Sequence, residues 1–229
     1  MFPLKDTIRS RSFPLVTWAI IVANVLVFFY ELSLSPAAQA RLFQNYGLVA
    51  SQISFTNPLT WYPFLTHMFL HGGWLHIISN MWVFFIFGDN VEDRMGSMRF
   101  LIFYLLGGFA AGLMQVFFAG GSTPSIGASG AIAAVLGAYF IFFPRARVLT
   151  LILIVIIPIF INIPAVIFIG LWFVSQLFSG LLSLSGSASS AGIAWWAHVG
   201  GFLFGLIMSY PFTVGRGGQN WHRDEYYPW

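Results

Sequence analysis

The sequence predicts an all-α membrane protein, a bundle of six transmembrane helices with both termini in the cytoplasm. Three observations point there. Of the 229 residues, 58% are hydrophobic and only 7% are charged, against roughly 45–50% and about 25% in soluble globular domains. Six apolar segments approach the ~20 residues that a helix needs to cross the hydrocarbon. With six crossings, nine of the ten Lys and Arg residues fall on one side, as the positive-inside rule requires. Composition also excludes other classes. Disorder needs low hydrophobicity, and a dispersed net charge of +3 does not suit a nucleic-acid partner. The chain has no cysteine, hence no disulfide, thiolate metal site or cysteine nucleophile.

In chain order, residues 1–13 form a cytoplasmic segment carrying Lys5, Arg9 and Arg11. The first span runs from Pro14 to Leu34. Ala38-Gln39-Ala40 beyond it resembles a signal-peptidase site, but the apolar stretch exceeds the 7–15 residues of a signal peptide, so an uncleaved signal anchor is expected. The connection from Ser35 to Gly73 lies outside and carries Trp61, Phe64, Met68, Phe69 and Leu70. It is expected to fold partly into the membrane face, and loops this long are usually functional. The remaining spans are Trp74 to Phe87, Phe100 to Ala119, Ile126 to Phe143, Pro164 to Leu184 and Ala194 to Phe212. Between the fourth and fifth, the β-branched run Val148 to Ile161, broken by Pro158, is short for a span and reads as re-entrant or interfacial. Arg94, Arg99, Arg145, Arg147, Arg216 and Arg223 then lie inside, and only Arg41 outside. The membrane domain spans residues 14–212, and residues 213–229 form a polar tail.

Polar groups inside spans are costly and mark functional sites by default. The second span carries His76 and Asn80, four apart and so on one helix face. The fourth opens with Gly127-Ala128-Ser129-Gly130, and the sixth carries His198. Measured from the outer entry at 1.5 Å per residue, His76 and Asn80 lie about 3 and 9 Å deep, Ser129 about 4–5 Å and His198 about 6 Å. Three helices separated in sequence thus present these groups in one outer layer. Ser129, Ala133 and Gly137 on one helix, and Ala197, Gly201, Gly205 and Ser209 on another, form small-residue stripes. Such stripes let helices meet backbone to backbone.

The chemistry this allows is acyl transfer. Ser129 is a nucleophile if a base takes its proton, and His198 is the membrane histidine on an apposed small-residue face. Gly127 and Gly130 let a substrate backbone approach. The backbone of Ala128 and Ser129 opens a helix whose free amides point at a developing oxyanion. His76 and Asn80 add side-chain donors, each worth roughly 10²–10³ in rate. No acid is placed to orient His198, so the pair is a dyad. The plainer readings are a serine bonded to its own helix and polar residues that glue helices together. His67, His71 and His76 have no carboxylate or thiolate beside them and form no HExxH, so neither metal nor cofactor is expected. Ala131 breaks the GxSxG nucleophile elbow.

These motifs resemble those of the rhomboid intramembrane serine proteases, over nearly all six spans. Gly127-Ala128-Ser129-Gly130 is similar to the family's GxSG, with Ser129 as nucleophile. Ala197-His198-Val199-Gly200-Gly201, followed by Gly205, is similar to AHxxGxxxG, with His198 as base. His71-Gly72-Gly73 through His76 to Asn80 is similar to HGxxxHxxxN, with His76 and Asn80 on the oxyanion. Glu92 and Arg94 resemble a charged pair at the inner end of the second span. Two positions depart: Trp61 precedes Tyr62 where the family often has Trp-Arg, and Ala133 stands where some members stack an aromatic on the histidine.

The resemblance implies a serine endopeptidase with a rhomboid-like bundle, cutting single-spanning membrane proteins near the outer face. Its partners are transmembrane substrates and the lipid bilayer, with no nucleic acid, and its location a prokaryotic plasma membrane. The rival is a catalytically silent relative that binds transmembrane helices as a chaperone or quality-control factor. A transporter with broken helices is disfavoured by the lack of mid-span acids and of inverted halves.

Overall fold

In lipid every backbone amide and carbonyl must be paired within its own segment or a closed barrel, so long apolar runs become helices. The computed structural model describes residues 1–184 and 194–215. Its elements are β1 (Phe2–Asp6), α1 (Leu15–Ser33), α2 (Pro36–Tyr46), α3 (Pro63–Thr66), α4 (Trp74–Met95), α5 (Ser97–Ala119), α6 (Ser129–Phe142), β2 (Arg147–Ile154), β3 (Ile157–Pro164), α7 (Ala165–Leu184) and α8 (Trp195–Met208). Each of the six expected spans contains a helix. Three of them, α1, α5 and α7, are long and apolar enough to cross a membrane. The segments Pro58–Phe69 and Trp74–Met95 make a fourth if the pair, bent by 85°, is one broken span. α6 and α8 have 14 residues each, about 21 Å against a hydrocarbon thickness of about 30 Å.

α4 runs on past the expected end at Phe87 to Met95, and two further boundaries differ from the sequence expectation for a local reason. Residues 126–128 are not the first turn of the fourth span. Leu48 and Ser125 bridge as antiparallel partners, Gly127 takes φ +123°, and its N–H donates to the His67 carbonyl at 2.9 Å. The helix therefore begins at Ser129. The sixth helix ends at Met208, and a 3-10 turn at Pro211–Thr213 follows, because proline cannot continue the ladder. Residues 216–229, with Arg216 and Arg223, lie outside the described residues.

The run Val148 to Ile161 is not a re-entrant helix. It forms most of an antiparallel hairpin of β2 and β3, turning at Val155-Ile156, with β1 added in the order β1-β2-β3. Phe2 pairs with Leu151. An open sheet has unpaired edges that hydrocarbon does not tolerate, which favours the interfacial half of that expectation. Asn90 Nδ2 and the Tyr139 hydroxyl both donate to Asp6, fastening β1 to α4 and α6.

α6 is the axis of the bundle. Every residue from Gly130 to Tyr139 is buried, as for a helix that is apolar all round. α4, α5 and α8 pack on it, while α1 packs on α4 and α7 on α8. The closest approach is between α6 and α8. A Cβ on Gly201 would collide with the Gly130 carbonyl, one on Gly205 with the Ala134 carbonyl, and one on Gly137 with the Phe202 carbonyl. The expected stripe on α8 thus packs at Gly201 and Gly205. On α6 the contact runs through Gly130, Ala133, Ala134 and Gly137, and Ser129 stands outside it, toward His198.

Buried carboxylates pin the helix ends. Glu92 accepts from the Val16 and Thr17 amides at 3.0 and 2.8 Å and from the Thr17 and Ser97 hydroxyls. It pairs amides that the first turn of α1 leaves free and places a negative charge at its positive end. The Arg94 guanidinium lies 5.5 Å from the Phe142 ring centroid, a cation–π distance. The connection of residues 35–73 is built from α2, α3 and 3-10 turns, and it plugs Phe64 and Met68 into α5, where side chains on Gly112 and Gly108 would strike them.

Because overpacking a tight contact costs about 1–3 kcal/mol or more, Gly201→Leu and Gly205→Leu should each lower the Tm in detergent by several degrees. Melting at the parent temperature would show that α8 does not seat through these glycines.

Candidate active site

The loop before α6 sets the nucleophile's position. A Cβ on Gly127 would lie 2.6 Å from His76 Nε2, and φ is +123° there, so only glycine fits. The first bond of the α6 ladder runs from the Ile132 amide to the Ala128 carbonyl, at 3.0 Å. The amides of Ser129, Gly130 and Ala131 precede it and have no partner in the α-helical ladder. Ser129 is the first residue of α6.

His198 sits in the first turn of α8, whose Ala197 amide donates to Gln115 Oε1 at 3.1 Å. The Ser129 hydroxyl and His198 Nε2 are 2.7 Å apart. The other ring nitrogen, Nδ1, meets Gln176 Oε1 of α7 at 2.6 Å. Trp172 tilts over the His198 ring at 5.8 Å between centroids, and Trp195 meets it edge-on at 6.3 Å. The packing that Ala133 does not supply comes from α7 and α8.

His76 and Asn80 project from the N-terminal half of α4 toward the same place. The Gly72 amide approaches His76 Nδ1 at 3.4 Å, a long hydrogen bond. With Nδ1 as acceptor, the neutral ring carries its proton on Nε2, the nitrogen beside Gly127. Asn80 Nδ2 donates to His71 Nε2 at 3.0 Å, and a Cβ on Gly127 would lie 3.5 Å from it. The His71 amide in turn donates to Glu31, at 3.1 and 3.3 Å from its two oxygens. Glu31 is wholly buried in α1, so α1 fixes the chain where it enters α4.

Ser129, His198, His76 and Asn80 all line one cleft of about 640 Å³, with Trp74, Leu75 and Ile126 along its walls. Gly127 packs against His76, which lines the cleft, whereas Gly130 turns toward Ala111 of α5 and Ala197 of α8. Its place is in helix packing, with Gly201 and Gly205. His67 donates through Nδ1 to the Pro63 carbonyl at 2.7 Å, which holds the 3-10 turn. Sequence reasoning missed Glu31, Gln115, Trp172 and Gln176. Gln176 did carry a signal: it is the one amide side chain in its span, one turn after a tryptophan.

Comparison with known proteins places the chain in a family. Residues 58–214 match the Rhomboid domain family. The chain is 26% identical over 216 residues to Rhomboid protease GlpG of Salmonella choleraesuis, which covers 93% of this chain and 68% of that protein. It is 31% identical over 110 residues to Rhomboid-like protein 11, chloroplastic, of Arabidopsis thaliana, covering 48% of this chain and 39% of the relative. To RHOMBOID-like protein 6, mitochondrial, of the same plant it is 38% identical over 74 residues, 32% of this chain and 24% of the relative. It thus spans well under half the length of both plant relatives.

Proposed function

Since the chain belongs to the rhomboid family, we propose that it is an intramembrane serine endopeptidase. In this reading it hydrolyses peptide bonds of single-spanning membrane proteins near the outer face, with Ser129 as nucleophile and His198 as general base. The observation that carries the reading is the 2.7 Å contact between the Ser129 hydroxyl and His198 Nε2, both lining one cleft. As the serine oxygen bonds to the scissile carbonyl carbon, its proton passes to His198 Nε2. The carbonyl oxygen becomes an oxyanion among the Ser129 amide, His76 Nε2–H and Asn80 Nδ2–H. Collapse breaks the C–N bond, and His198 returns the proton to the leaving amine. Water then hydrolyses the acyl-enzyme by the same route. The bacterial relative, matched over 93% of this chain, is itself named a protease. The rhomboid-like membrane domain is assigned to residues 14–212.

The topology belongs to the same proposal. α1, α4, α5, α6, α7 and α8 cross six times, with both termini cytoplasmic, in a prokaryotic plasma membrane. α6 and α8 are about 9 Å shorter than the hydrocarbon is thick. With their inner ends at the inner boundary, Ser129 and His198 lie below the outer surface, where the cleft admits water.

Ser129→Ala and His198→Ala should each abolish cleavage of a single-spanning substrate in reconstituted bilayers while the protein stays folded. Cleavage by Ser129→Ala would eliminate the dyad. A folded parent protein that cuts nothing but retains such helices would instead identify a silent helix-binding relative.

Asn80→Ala should lower kcat by about 10–10³ with little change in KM, because the donor acts on charge present only in the transition state. An equal loss of affinity at unchanged kcat would mean that Asn80 merely holds substrate.

The scissile carbonyl of a substrate helix is already bonded to the amide four residues on, and opening that turn in lipid costs several kcal/mol per unpaired group. A small residue before the cut, fitting beside Gly127, and helix-weakening Gly, Pro or Ser just after it should therefore be preferred. Replacing them by Leu, with insertion preserved, should slow cleavage. An unchanged rate would show that local unfolding does not govern selection.

A further inference from the structure

The hydrogen bonds behind His198 run in one direction, and donor counting fixes that direction. The Ser175 hydroxyl donates its single proton to the Trp172 carbonyl at 2.6 Å. Its oxygen is then only an acceptor, and Gln176 Nε2 donates to it at 2.9 Å. This settles which end of the amide is which, so Oε1 faces His198 Nδ1 at 2.6 Å. An amide oxygen only accepts, so Nδ1 carries the ring proton and Nε2 is left with a lone pair, aimed at the Ser129 hydroxyl.

The packing of α7 holds this geometry. Among the described residues, α7 buries only Ala165, Ile169, Gln176 and Gly180. At Gly180 a side chain would press on the Trp196 ring at 3.3 Å, so this glycine lets α7 lie close against α8 one turn beyond Gln176. One turn before Gln176, Trp172 covers a face of the imidazole.

From this we propose that Gln176 is a positioning residue for the reaction, holding the His198 imidazole in the tautomer whose Nε2 can accept the Ser129 proton, and that Ser175 holds the Gln176 amide the right way round. The inference rests on the reading of Ser129 and His198 as nucleophile and base. Gln176 neither takes nor gives a proton. When Nε2 receives the serine proton, the Nδ1–H bond to Oε1 becomes a bond from a charged donor and strengthens. When Nε2 passes that proton to the leaving amine, the ring returns to the same tautomer, ready for water. With the amide reversed, its NH₂ would face Nδ1, the proton would sit on Nε2, and the base would be blocked. A neutral acceptor suits a site within the membrane, where a buried carboxylate is costly.

The test combines kinetics with ¹⁵N NMR of histidine-labelled protein at neutral pH. In the parent, His198 should show a protonated Nδ1 and a pyridine-type Nε2. Gln176→Leu should show both tautomers and a kcat lowered about 10–100-fold with KM within about twofold. That is less than the ~10⁴ lost when a carboxylate-to-amide change in a serine-protease triad enforces the wrong tautomer. Gln176→Glu, which keeps an acceptor, should be faster than Gln176→Leu. Ser175→Ala, at an exposed position, should give a smaller loss in the same direction and covers the case in which Gln176→Leu does not fold. A parent spectrum with the proton on Nε2 overturns the inference, as does a folded Gln176→Leu with parental kcat. If the parent itself cuts nothing, the proposed function fails, and the spectra still decide the tautomer.

Discussion

Bare backbone meets bare backbone where α6 crosses α8, and the candidate site exists because of it. Lipid is as apolar as leucine, so helices in a membrane gain little by hiding apolar side chains from it; they associate by close packing. Gly201 and Gly205 rest on the carbonyls of Gly130 and Ala134, and Gly137 on that of Phe202. At a wider separation Ser129 and His198, both in the first turns of their helices, would not meet. The packing sets the 2.7 Å between them.

Around that contact, polar groups do at the helix ends what apolar groups do elsewhere. Two buried carboxylates are answered by backbone amides: Glu92 caps α1 from α4, and Glu31 fixes the chain before α4 from α1. The two bonds clamp the same helix pair at opposite ends. Through the His71 amide the second clamp reaches the residue whose ring accepts from Asn80. A side chain on α1 that never touches the cleft thereby helps to hold one that lines it.

What the sequence disclosed was whatever periodicity and residue spacing encode. His76 and Asn80 share a face because they are four apart, and Ser129 and His198 meet because each stands in the first turn of its helix. The glycine stripe on α8 was equally readable. What stayed hidden depends on partners remote in the chain. Val148 to Ile161 is apolar and β-branched, a pattern that short buried strands and membrane segments have in common. Its pairing with Phe2–Asp6 needs residues as far apart in sequence as Phe2 and Leu151. The start of α6 at Ser129, not Ile126, follows from the left-handed Gly127 wedged against His76. Gln176 went unnoticed because its meaning depends on how α7 is rotated against α8, which brings it to His198.

Reaction with a fluorophosphonate tests the central claim most directly, since it needs only a nucleophilic serine, a base and an oxyanion site, and no knowledge of the substrate. Purified protein in lipid should form a single adduct, located by peptide mass spectrometry on Ser129, and His198→Ala should not form it. A folded protein that takes no label, or takes it on another residue, would contradict the account.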